Sequence, residues 1–165
     1  MNSIIWAIEY CIEKAALFPA LILLYSSIDV LASLMTSDGY STGASFKPWA
    51  NDYFFSKGNF AFDDDDLWNA RCGIVHTLKY ESKGNNPRKI RYAISINDSD
   101  IKAITNPAQE VGVQFEEMFD AFKSGYKEYL EFLESTTDPN INSNLNKLPQ
   151  FTDWIPINTS KPSDK

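Results

Sequence analysis

Apolar positions over residues 3–36 recur with the period of a helix. Ile4, Ile8, Cys11 and Ala15 make one stripe, and Leu21, Leu24, Ile28, Leu31 and Met35 make another. Pro19 falls between them. It either opens a second helix or kinks a long one, because proline has no N–H to give to an interior turn. Thr36-Ser37-Asp38-Gly39 closes this region and a loop runs on to Ser45. A short helix is expected next, with Pro48 near its start and Trp49, Tyr53 and Phe54 on one side. The run Asp63-Asp64-Asp65-Asp66 precedes Leu67, Trp68 and Ala70. Acids cap a first turn and complement its dipole, which predicts a helix from about Asp65 to Leu78.

Residues 82–88 read as loop. Beyond them Ile90, Tyr92, Ile94 and Ile96 alternate with Arg91, Ala93 and Ser95, the period of a strand. A lone strand is unstable, so it needs a partner, either residues 76–81 or a second subunit. A long helix is expected from about Pro107 to Glu134. Val111, Phe115, Met118, Phe119, Phe122, Tyr126, Tyr129 and Phe132 mark its apolar side. Residues 136–147 are rich in Asn, Asp, Ser and Thr and read as linker; Phe151 to Lys165 reads as an extended tail with Trp154 as its candidate anchor. The expected organisation is a helical domain over 1–135, then a polar linker and tail over 136–165.

The length of 165 residues suits one domain with a real core. A hydrophobic share of 44% excludes global disorder. A net charge of −7 argues against a broad, sequence-independent nucleic-acid coat, since such binding neutralises phosphates, but it leaves room for a small basic site. Two cysteines, Cys11 and Cys72, make no disulfide framework, and a reducing compartment is the simpler expectation. Glu9 and Glu13 precede the first cation, Lys14, the reverse of a signal peptide. The most apolar stretch, Ala15 to Ile28, is broken by Pro19 and followed by Asp29, short of the roughly 20 apolar residues that cross a bilayer. A cytoplasmic protein without membrane contact is expected.

Candidate chemistry centres on Arg71 and His76. With about 100° per residue, Ala70, Ile74 and Leu78 fall within about 60° of Leu67, and Arg71 lies inside that same arc, on the face that should be packed. A guanidinium there needs an acid or an anionic ligand. Asp29, which interrupts an otherwise apolar helix, is the natural partner, whether as a structural bridge or in a crevice that binds phosphate. His76, the sole histidine, lies about 140° from Arg71, so a straight helix does not put both on one face. Arg71 must reach around, Gly73 must distort the helix, or the two must converge across a subunit boundary. Lys79, Lys83, Arg88, Lys89 and Arg91 form the one basic segment of this acidic chain. They either serve phosphates or pair with Glu110, Glu116, Glu117 and Asp120. The tetra-aspartate lacks the spacing of a calcium loop and reads as a helix cap; the cysteines read as buried thiols. No metal or other cofactor is expected.

Arg71-Cys72-Gly73-Ile74-Val75-His76 fits Arg-x4-His late in a helical chain, and in this the protein resembles the HEPN superfamily. Ala70 to Thr77, with Tyr25-Ser26-Ser27-Ile28-Asp29 upstream, also looks like a group of uncharacterised bacterial proteins of that fold. The resemblance spans roughly residues 5–135, with the motif as its specific part. It implies a mainly α-helical bundle, here with a small β element after the motif helix. It also implies metal-independent RNA cleavage of toxin or defence type, at a cleft between two protomers of a homodimer, with RNA and a cognate antitoxin or other protein as partners. Arg71 would hold the scissile phosphate and His76 would move a proton. Asp29 would orient Arg71, and Lys79, Lys83 and Arg88 would meet flanking RNA. Cys72 stands beside Arg71 where active members commonly carry a polar residue. The same resemblance also admits a silent binding or dimerisation module. A nucleotide-binding domain using Arg71 is a third reading, without a glycine-rich phosphate loop to carry it.

Overall fold

A computed structural model describes residues 2–77, 88–94 and 109–147, and is mainly helical with a small two-stranded sheet. Helix α1 (Asn2–Glu13) ends at Ala15, whose φ of 51° is the left-handed conformation that stops a helix. Helix α2 (Leu17–Ser33) places Pro19 in its first turn, where a missing N–H costs no intrahelical bond. Pro19 therefore opens a second helix. Leu21, Leu24, Tyr25, Ile28, Leu31 and Ala32 are all buried, because α2 is central and α1 and three later helices pack around it.

Helix α3 (Gly43–Trp49) carries Pro48 in its last turn, not near its start as the sequence suggested. It widens into a π-helical turn, Ala50–Phe54, and then a 3-10 turn, Phe55–Lys57. Helix α5 (Phe115–Ser135) crosses this segment at Gly125, where a Cβ would lie 1.6 Å from the Tyr53 carbonyl oxygen. Only glycine fits there. Trp49 and Tyr129 meet edge to face beside this crossing, in an aromatic core that includes Phe122 and Phe54.

Helix α4 (Asp64–Thr77) starts where the aspartates predict. Asp63 Oδ1 accepts from the Asp66 N–H at 2.9 Å, and the Asp63 N–H reaches back to Asp66 Oδ2 at 3.4 Å, a reciprocal cap. Asp65 pairs with Lys47, and Asp64 accepts from Asn51. The tetra-aspartate is thus occupied with the helix start and with α3.

Strand β1 (Lys89–Ala93) pairs in parallel with β2 (Glu110–Gln114), Ile90 opposite Val111 and Tyr92 opposite Val113. This corrects two expectations. Among the described residues the partner of β1 is β2 of the same chain, where the sequence offered residues 76–81 or a second subunit, and the long helix starts at Phe115, because residues 110–114 are strand. Val111 and Val113 point into the core with the alternation of a strand, while Arg91 bonds Glu110 across the pair. The expected linker is also in part a helix, α6 (Pro139–Lys147). Asp138 caps it through the Asn140 and Ile141 N–H groups. Ile141 and Asn144 are buried, and Asn144 Nδ2 donates to the carbonyls of Leu34 and Thr36, at 3.3 and 2.6 Å. Trp154 lies outside the described residues. No described helix is long and apolar enough to cross a membrane.

Candidate active site

Two helices hold one polar cluster. Asp29 sits near the C-terminal end of α2, Arg71 in the middle of α4 and His76 in the last turn of α4. Arg71 Nε donates to Asp29 Oδ2 at 2.6 Å and Nη2 lies 2.5 Å from the same oxygen. The side chains are 11% and 14% exposed, so the pair is largely shielded from water. The remaining terminal nitrogen, Nη1, donates to His76 Nε2 at 2.7 Å. Guanidinium cannot accept, so this contact requires a lone pair on Nε2 and a hydrogen on Nδ1. Arg71 reaches around the helix, and that reach overcomes the 140° that separates the two positions on the wheel.

Two residues that the sequence reading did not single out complete the setting. Ser41, in the loop between α2 and α3, donates through Oγ to Asp29 Oδ1 at 2.9 Å. Asp29 is thereby held at both oxygens. Trp68, one turn before Arg71, lies 5.0 Å from the guanidinium carbon, face-on to the cation. Its indole rests in turn on the start of α3, where a Cβ at Gly43 would be 3.3 Å from the ring, and against Phe46. An aromatic three positions before an arginine on a helix is a readable signal. Ser41 has no such local signature. Cys72 Sγ is 3.9 Å from Nη1, a weak contact at most.

Not every candidate joins the cluster. Arg88 lies at the opposite end of α4. Its backbone N–H and its Nε donate to the two oxygens of Asp66, at 2.8 and 3.0 Å. Asp66 and His76 are ten residues apart on α4, about 15 Å along the axis. Lys79 and Lys83 lie outside the described residues. Among the described residues no three His, Cys, Asp or Glu side chains group as a metal site.

Tyr25 is one turn before Asp29 on α2 and is fully buried, with its hydroxyl 2.5 Å from that of Tyr92 on β1. Burial pushes its phenol well above the ordinary range, and the Tyr92 bond pulls back less strongly. This neutral dyad ties α2 to the sheet beside the charged cluster.

The chain matches no protein-family model, no curated protein and no solved structure. The functional reading therefore rests on the cluster itself.

Proposed function

We propose that the protein is a HEPN-like, metal-independent endoribonuclease of toxin or defence type, acting in the cytoplasm as a homodimer. The observation that supports this reading is the 2.7 Å contact between Arg71 and the exposed His76, with Asp29 fixing the arginine from behind. An incoming phosphate is a stronger, charged acceptor for Nη1 than a neutral imidazole. Turning Nη1 to the phosphate releases the Nε2 lone pair. Nε2 then takes the proton of the 2′-hydroxyl as that oxygen attacks phosphorus. The bond from phosphorus to the 5′-oxygen breaks, and that oxygen is protonated by water. The products are a 2′,3′-cyclic phosphate and a 5′-hydroxyl. Arg71 balances the charge that develops on the phosphoryl oxygens, and Asp29 keeps the guanidinium from swinging away. Lys79 and Lys83 are assigned to flanking phosphates. A second copy across a two-fold axis would wall the cleft, and an antitoxin or other protein partner would cover it.

The test incubates purified wild-type and His76→Ala protein with labelled RNA in EDTA. Cyclic-phosphate ends from the wild type and none from the variant are expected. Equal cleavage by both removes His76 from the reaction.

A catalytically silent binding or dimerisation module is the second reading. The observation that favours it is the burial of the Arg71–Asp29 pair, which suits a structural bridge. A folded wild type that cleaves none of a diverse set of RNAs selects it.

A further inference from the structure

Among the described residues, three side chains stand close against the Arg71 guanidinium, and two of them are fixed. Asp29 Oδ2 takes the edge formed by Nε and Nη2, and Ser41 Oγ holds the other oxygen of that carboxylate. The Trp68 ring covers the cation and packs in turn on Gly43 and Phe46. Nη1 is what remains. Its acceptor is His76 Nε2 at 2.7 Å, with Cys72 Sγ at 3.9 Å as a far weaker neighbour. His76 is exposed, in the last turn of α4, and an exposed side chain changes rotamer freely. It is the member of the cluster that can leave without breaking the packing.

The contact exists in one protonation state only. Guanidinium donates and cannot accept, so Nε2 must offer its lone pair. A proton on Nε2 removes that lone pair and sets a second cation against the first. Imidazole is the side chain whose charge ordinarily changes near neutral pH. Once His76 leaves, Nη1 loses its acceptor while belonging to a side chain that is 11% exposed, and such a donor calls for a replacement. An anion is the strongest acceptor for it, and a protonated His76 adds a second charged donor at the same opening.

The other charges packed against α4 are engaged elsewhere. On α2, Asp29 stands behind the arginine, and the Tyr25 phenol bonds Tyr92 of β1. On α3, Lys47 pairs with Asp65 in the first turn of α4, next to Asp64 and Asp66. The chain enters β1 at Arg88, on Asp66, and continues through Lys89 to Arg91, which bonds Glu110.

We infer that His76 is a proton-operated gate on Arg71: neutral, it occupies Nη1, and protonated, it yields that nitrogen to a phosphate-type oxyanion. The inference rests on the ribonuclease reading for its choice of anion, and names what regulates that site. It sets two opposite demands. Acid favours holding the phosphate, whereas the base that takes the 2′-hydroxyl proton must be neutral. KM and kcat for RNA should therefore fall together as pH falls.

The probe is sulfate, which keeps its charge across the pH range while phosphate does not. It is titrated into wild type, His76→Ala and His76→Gln by calorimetry, and into wild type by NMR of the imidazole, the only one in the chain. Wild-type affinity should rise as pH falls through the imidazole's titration, by no more than about tenfold per pH unit for one proton. Affinity of His76→Ala should ignore pH and exceed wild type about 5-fold or more on the alkaline side, because its gate stands open. His76→Gln, whose amide oxygen accepts from Nη1 at every pH, should be weak and flat. The imidazole signals should follow the same saturation curve, which places sulfate at this site. Wild-type affinity that ignores pH, His76→Ala weaker than wild type on the alkaline side, or imidazole signals unmoved by saturating sulfate overturns the gate. Absence of sulfate binding in all three proteins overturns it too. None of these readings uses RNA, so the gate can fall while cleavage in EDTA stands. A working gate in a protein that cleaves no RNA upholds the gate and removes the ribonuclease reading.

Discussion

Helix α4 carries an arginine–aspartate pair at two levels: Asp66 with Arg88 in its first turn, and Arg71 with Asp29 at mid-length. The residue types are the same, and both carboxylates are largely buried. Asp66 receives the Asp63 N–H, the Arg88 N–H and two nitrogens of the Arg88 side chain. Every one of these bonds fastens backbone or the start of β1, and among the described residues the chain of contacts goes no further. Asp29 uses its two oxygens on Ser41 and Arg71, and the arginine passes the chain of contacts on to an exposed imidazole. One pair closes on itself and the other opens on an exposed imidazole. A cation in a basic segment is thus no sign of a phosphate contact; where its partner chain of hydrogen bonds ends is the better guide.

The largest effect that separates the two pairs is on turnover. If the proposed reaction holds, His76→Ala should lower RNA cleavage by about 10²- to 10⁴-fold with the melting curve unchanged, since the imidazole is exposed and the proposal gives it the proton transfer. A comparable loss on changing Asp66 would erase the distinction. Next comes Asp29→Ala, which strands a guanidinium that is 11% exposed. It should cost about 3 kcal/mol in urea unfolding and abolish cleavage as well. Asp66→Ala should cost less, about 2 kcal/mol, because Arg88 at 34% exposure regains water while the helix loses its cap. Cleavage per folded molecule should stay at the wild-type rate, as measured by active-site titration beside circular dichroism.

The smallest effect concerns the uncharged dyad next to the open pair. Burial raises the Tyr25 phenol in the folded state above its ordinary value of about 10. The unfolded chain then releases that proton first as pH rises, so stability is whole below about pH 10 and falls above it. Tyr129, also buried, adds in the same direction. Tyr25→Phe should flatten the decline between about pH 10 and 12 in thermal melts. An unchanged slope would show that the phenol does not govern it.

Helical period sufficed for α2 and α4, because each keeps a continuous apolar stripe and α4 adds its acidic cap. The Arg71–Asp29 pair was legible for the same reason: both are charges on faces that should be packed. Strand β2 was not, since Val111 and Phe115 are four apart and extend the apolar side of α5 backwards in sequence. Parallel pairing with β1 decides the matter, and it joins residues 21 positions apart. Helix α6 offered only Ile141 and Leu145 as apolar marks, although Asp138-Pro139 is a good start signal of cap followed by proline. The part of Ser41 in the cluster depends on a loop tied down from Asn144, a contact that no local window contains.

That tie also has a meaning in time. A chain is made from its N-terminus at roughly 5–20 residues per second, and domains fold as they emerge. Asn144 follows Thr36 by 108 positions, so the loop waits roughly 5–20 s for its clasp. Asp29, Arg71 and His76 have all been synthesised well before then. A nascent chain therefore holds the Arg71–His76 pair before it holds the fixed wall beside it, and the order of translation makes that wall the last part of the site to be set.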